Sequence, residues 1–211
     1  MPPAPTYLHV VLFNFKTGVP TATRDRVIES VRGQGLAPQV SSMIVARNRA
    51  PDPVYEWVAM LDFPDEAASE AFQKSAAHHA QIAADFAPYR DRLLVLDLVQ
   101  PFETTIADNR GCAYRRTGMF KLKPDLPAEE QHRIMAGLAA LGVGEPGVGQ
   151  VIWGRNHFPK GEFAPFDWMI LRDFADRDAY AAFDASPARK AFLREIFSPA
   201  VADSLVLEIA I

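Results

Sequence analysis

The chain has 211 residues, 49% hydrophobic and 23% charged, with a formal net charge of −4. This is ordinary globular composition and excludes a disordered chain; the charge balance offers no basic surplus of the kind nucleic-acid binders carry. No apolar run approaches the roughly 20 residues of a membrane helix, the Met1–Pro5 start lacks the basic and apolar regions of a secretory signal, and the single cysteine, Cys112, excludes an internal disulfide framework and points to a reducing cytoplasm.

Residues 7–16 are apolar, aromatic and β-branched and predict a strand. Residues 21–32 place Val27, Ile28 and Val31 at helical spacing among Arg and Glu, an amphipathic helix. Residues 39–47 and 54–63 predict two strands joined by the turn-forming Arg49–Pro53 segment. Residues 65–74 and 76–90 are helical, and 92–99 is a last strand. The polar stretch from Pro101 onward predicts a linker over 101–112. The same order then returns near 113–123, 128–141, 148–156, 166–174, 176–196 and 204–210.

The return is a tandem duplication. Leu12–Lys16 matches Met119–Lys123 at an offset of 107, and Val45–Asn48 matches Trp153–Asn156 at 108. Tyr55–Trp57, Asp62–Phe63, Ala71–Phe72, Ser75 and Leu94–Asp97 match Phe166–Trp168, Asp173–Phe174, Ala182–Phe183, Ser186 and Leu205–Glu208, all at 111. The order β-α-β-β-α-β in each copy is the split, ferredoxin-like unit of an α+β protein. The domain reading is therefore 1–100, a linker over 101–112, and 113–211. In the first strand Leu8, Val10 and Leu12 lie on one face, and His9, Val11, Phe13 and Phe15 on the other. A strand apolar on both faces is covered on both. The expected architecture is thus two ferredoxin-like halves forming an intramolecular pseudo-dimeric α/β barrel.

The strand Leu8–Lys16 with His9 in it, Arg47–Asn48 at a strand end, the helix entry Ala71–His78 and the strand Leu93–Asp97 resemble the Dabb family of stress-responsive α/β barrels, in both copies. The resemblance implies units that usually pair as homodimers. Here the second copy would stand for the partner, giving a monomeric pseudo-dimer or a homodimer. It also implies a possible activity, since one kind of member is a polyketide cyclase that closes a ring by aldol condensation without metal or cofactor. The key histidine of that enzyme falls at His78, and its tyrosine partner at Phe72, which has no hydroxyl. The family's first-strand histidine falls at His9; the second copy has Arg189 and Arg116 at these two places.

His78 is the candidate general base. With Ser75 as N-cap it stands in a helix's first turn, where the partial positive charge disfavours imidazolium; the alternative is a solvent-facing histidine. His9, Trp57, Phe72 and Arg189 are the candidate substrate-binding residues, each with a plainer reading: a hydrogen-bonded core histidine, core aromatics (Trp168 repeats Trp57), and an arginine extending into water. The sharper reading of Arg189 pairs it with a carboxylate or an anionic ligand. His79 points about 100° from His78, so the two cannot readily share a metal, and no spaced ligand set suggests a metal or another cofactor. Gly142–Gly147 spells G-x-G-x-x-G, but the helix precedes it and Pro146 interrupts it, so it predicts a helix end and loop rather than a dinucleotide site. Two expectations follow. One is a cofactor-independent cyclase, isomerase or lyase acting on a small organic molecule, with no nucleic-acid or membrane partner. The other is a non-catalytic stress-responsive or small-molecule-binding protein.

Overall fold

The structure, a computed structural model, describes residues 7–99, 103–106 (backbone only), 111–158 and 165–211. The expected linker falls partly outside these residues, at 101–102 and 107–110. Two compact units emerge. The first holds 7–48 and 53–99 together with 157–158; the second holds 49–52, 103–106, 111–156 and 165–211.

The first unit runs β1 (Tyr7–Phe15), α1 (Thr21–Gly33), a 3₁₀ turn (Gln34–Leu36), β2 (Ser42–Arg47), β3 (Trp57–Phe63), α2 (Glu66–Gln73), α3 (Ala76–Gln81), a π turn (Ile82–Phe86) and β4 (Arg90–Val99). Its four strands are antiparallel in the order β2-β3-β1-β4. This is the expected βαββαβ unit, with β1 central. Because side chains alternate along a strand, the odd-numbered residues of β1 share one face. Phe13 and Phe15 join Val27, Ile28 and Val31 of α1 and Phe72 of α2 in one core. Leu8, Val10 and Leu12 on the other face are at most 2% exposed.

The second unit repeats the plan: β5 (Glu103–Ile106), β6 (Tyr114–Leu122), α4 (Ala128–Ala140), β7 (Val148–Arg155), β8 (Trp168–Phe174), α5 (Arg177–Ala185), α6 (Pro187–Phe192), a π turn (Leu193–Phe197), the short α7 (Ser198–Ala200) and β9 (Val201–Ala210). The sheet order is β5-β7-β8-β6-β9, so this sheet gains an edge strand from residues within the expected linker.

The helical stretch 176–196 is divided. Ser186 is extended and its side chain accepts from the Arg189 N–H at 3.3 Å, with Pro187 opening α6. Serine at the cap and proline at the first helical position both favour a new start. The same break precedes α3, where Ser75 accepts from His78 N–H at 3.2 Å. The glycine-rich stretch after α4 is a loop. Gly142 (φ 73°) and Gly147 (φ 80°) are in the left-handed region, and a Cβ on either would lie within 2.8 Å of Phe183 or Ala179 of α5. Backbone shape and close packing explain these glycines without a nucleotide.

Candidate active site

Three elements of the first unit converge on a cavity of about 50 Å³ beneath the helix-facing side of the sheet. β1 contributes His9, Val11 and Phe13; the 3₁₀ turn contributes Gln34; the entry of α3 contributes His78. Phe72, Ile82 and Phe86 close it, the last two supplied by the π turn. A cavity of this size exceeds the roughly 10–15 Å³ that one water requires but accepts only a few non-hydrogen atoms.

His9 and His78 line the same cavity, and each ring has a distinct hydrogen-bond partner. His9 lies directly opposite Asp97 in the β1–β4 pairing, so both side chains rise from one face of the sheet. Its Nδ1 is 2.5 Å from Asp97 Oδ1, while Tyr7 donates its hydroxyl to Oδ2 at 2.6 Å. Asp97 is 3% exposed, and a carboxylate that deep requires such partners. A carboxylate accepts only, so His9 carries its proton on Nδ1 and its Nε2 is left for other work. Burial, then the bond to Asp97, hold the Tyr7 hydroxyl protonated far above the usual tyrosine range.

His78 is held by a chain of neutral groups that ends on a carboxylate. Ser30 bonds Asp85 at 2.9 Å, and since the carboxylate accepts, Ser30 donates. Ser30 then accepts from Gln81 Nε2 at 3.0 Å, and the Gln81 carbonyl accepts from Gln34 Nε2. That leaves the Gln34 carbonyl facing His78 Nδ1 at 3.1 Å, so Nδ1–H donates and Nε2 keeps a bare lone pair. Burial, followed by the proximity of His9 and His79, lowers the His78 pKa below the ordinary histidine value. The ring is neutral and able to accept a proton, as the helix-entry argument required.

Of the other expected site residues, Phe72 lines the cavity and its ring centroid lies 4.6 Å from that of His78. Trp57 is not part of the lining; it packs against the core of the first unit. Arg189 belongs to the second unit, 8% exposed, pairing with Asp184 at 2.7 Å and stacking over Phe183. His79 is exposed. Asp97 and Tyr7 were not anticipated. The available signal was a carboxylate in a strand otherwise apolar, a residue type that is buried only when paired. No group of three or more His, Cys, Asp or Glu side chains able to hold a metal occurs among the described residues. None of the helices among them is long and apolar enough to cross a membrane.

A tandem pair of ferredoxin-like α+β units with a histidine-lined cavity defines the class. The sequence pattern of the stress responsive A/B barrel domain, Dabb, matches residues 8–100 and again 115–211, and the chain belongs to that family. Among solved structures, a candidate monooxygenase from Fusobacterium nucleatum is similar at a TM-score of 0.68 with 15% identity, covering 100% of this chain and 93% of its own. A candidate monooxygenase from Lactobacillus acidophilus is similar at 0.61 with 16% identity, covering 98% and 93%. An anthrone oxidase-like protein is similar at 0.68 with 14% identity, covering 97% and 91%. At these identities the likeness is one of fold. No curated protein matches the sequence.

Proposed function

We propose that the first unit binds a small carbonyl compound, or the carbonyl end of a larger one, and moves a proton at the carbon beside the carbonyl. His78 is the general base. Its Nε2 lone pair takes the proton and the ring becomes imidazolium. The electron pair left behind delocalises onto the carbonyl oxygen, and His9, its ring oriented by Asp97, is the polar group that lines the cavity beside it. Return of the proton to a different atom gives isomerisation, and attack of the enolate on a second carbonyl gives cyclisation. That attack in reverse, in which the β-hydroxyl loses its proton and the carbon–carbon bond breaks to a carbonyl and an enolate, gives a lyase step. His9 and Phe72 are the substrate contacts. The observation that carries this reading is that two histidines line one cavity, one bonded to a buried carboxylate and the other held neutral. Groups in unlike environments are how a fold divides acid from base. The single cysteine supports a reducing cytoplasm as the setting.

The second reading is binding without catalysis. The small cavity volume and the absent hydroxyl at Phe72 favour it. Deuterium exchange at the α-carbon of small ketones and β-keto acids, followed by NMR, separates the two. Catalysis by His78 requires exchange that falls about 10²–10⁴-fold in His78→Ala, the usual contribution of general acid–base catalysis. Exchange unaltered by that substitution removes the enzymatic role. A thermal shift with these compounds, unaccompanied by exchange, leaves the binding reading.

A further inference from the structure

The cavity positions of the first unit are occupied in the second by cations. By the repeat, His9 becomes Arg116, Leu61 becomes Arg172 and His78 becomes Arg189. Arg116 and Arg172 lie directly opposite each other in the β6–β8 pairing, so their side chains share a face. Like charges so placed are destabilising. Arg172 and Arg189 both stack on Phe183, at 4.5 and 5.3 Å from the ring centroid, and Arg116 stacks on Tyr180 at 5.3 Å.

The neighbouring acids do not balance them. Arg189 has Asp184. Arg116 Nε stands 3.8 Å from Glu208 Oε1, while the other oxygen of Glu208 takes the Tyr114 hydroxyl. Arg172 donates through one terminal nitrogen to the Leu138 and Ala139 carbonyls, each at 3.0 Å, near the end of α4. Glu145 attracts Arg172 from a distance, but among the described residues no carboxylate forms an ion pair with that guanidinium. Moreover, the Nε atoms of both Arg116 and Arg172 are buried with no hydrogen-bond partner. Arg172 itself is 6% exposed. Burial, then Arg189 and Arg116, push its pKa down to about 9. A buried donor without an acceptor is destabilising, so the arrangement is short of one acceptor-rich negative group.

We propose that Arg116, Arg172 and Arg189 form a binding site for a small oxyanion, a carboxylate or phosphate group. Guanidinium forks match the paired oxygens of such groups. Arg172 and Arg189 form the buried wall. Arg116, whose side chain is 25% exposed, is the side open to solvent. The site is separate from the cavity of the first unit and stands whether or not that cavity is catalytic.

The test is thermal denaturation and isothermal titration of the full chain with sodium phosphate and with sodium acetate, each against sodium chloride at equal ionic strength. A saturable rise in Tm with either probe is expected, about 3–6 °C at ten times Kd. The probe with the lower midpoint assigns the group. Arg172→Leu, which restores the residue of the first unit, should abolish the rise and the titration heat. No rise beyond chloride in the unsubstituted protein overturns the proposal, as does an undiminished rise in Arg172→Leu. If Arg172→Leu does not fold, Arg189→Met replaces it under the same criteria. Arginines that serve packing alone would show no anion dependence at all.

Discussion

The two units share a scaffold and differ in what the scaffold carries. In both, a tyrosine at the start of the central strand bonds a carboxylate on the neighbouring strand: Tyr7 with Asp97, Tyr114 with Glu208. In both, an aspartate caps the helix that follows the third strand of the repeat, Asp65 for α2 and Asp176 for α5, and a serine caps the next. The residue between tyrosine and carboxylate on the same face differs: histidine in the first unit, arginine in the second. Gly118 stands where Val11 lines the first cavity, and the Phe120 ring occupies the space that a side chain at Gly118 would need. Duplication therefore preserved the residues that shape the unit and released those that fill its pocket.

The sharpest way to break this comparison is at a pair unique to the second unit. Arg115 holds Asp173 through two bonds of 2.6 and 2.9 Å, with Asp173 fully buried. Asp173→Ala leaves a buried charge and should cost about 3–5 kcal/mol in urea denaturation. The matching Asp62→Ala, where Leu8 stands opposite, should cost clearly less. Equal losses would mean that the pair contributes nothing beyond its position in the sheet.

Removing the shared tyrosine hydroxyls sharpens the comparison from the other side. Tyr7→Phe and Tyr114→Phe should each lose about 1.5–3 kcal/mol, the range for a bond to a charged group. If the bond belongs to the scaffold, denaturation gives similar losses in both, and only Tyr7→Phe alters the proton exchange assigned to the first unit. Smaller still are the caps. Asp65→Ala and Asp176→Ala should each cost about 1 kcal/mol, a matched pair whose inequality would show that the two helix starts are not equivalent.

The smallest effect is one of pH. The His78 pKa in the folded protein is below its ordinary value, so between the two the unfolded chain binds the proton better. Its contribution to stability is complete above about pH 6.5 and is lost as pH falls from there through the lower folded value. His78→Gln should flatten the stability profile between pH 7 and 5. Arg189 stays charged across that range, so the second unit supplies no such slope at the matching position. An unchanged profile in His78→Gln would place the titration elsewhere.

Much of this was legible in the sequence. The alternation in Leu8–Phe15, the helical spacing of Val27, Ile28 and Val31 and the caps Ser75 and Ser186 are local patterns, and the elements follow them. The stretch 176–196 divides at Ser186 and Pro187, a cap and first helical residue that mirror Ser75 ahead of His78. His9 and His78 were legible as candidates for one pocket, and both line the cavity; Trp57 was expected in that lining and is not found there.

By itself, the sequence determined the repeat, the order of elements, the helix starts and the family, since each rests on residues close together in the chain. Tertiary structure decided the chemistry. Asp97 meets His9 across 88 positions of sequence because strand register places them opposite. The proton on His78 is assigned through Gln34, Gln81, Ser30 and Asp85, drawn from four elements in two stretches of the chain. Likewise, no spacing in the chain announces that Arg116, Arg172 and Arg189 converge. Hydrogen bonds and charges act over a few ångströms, and only the folded chain sets which groups lie within that reach.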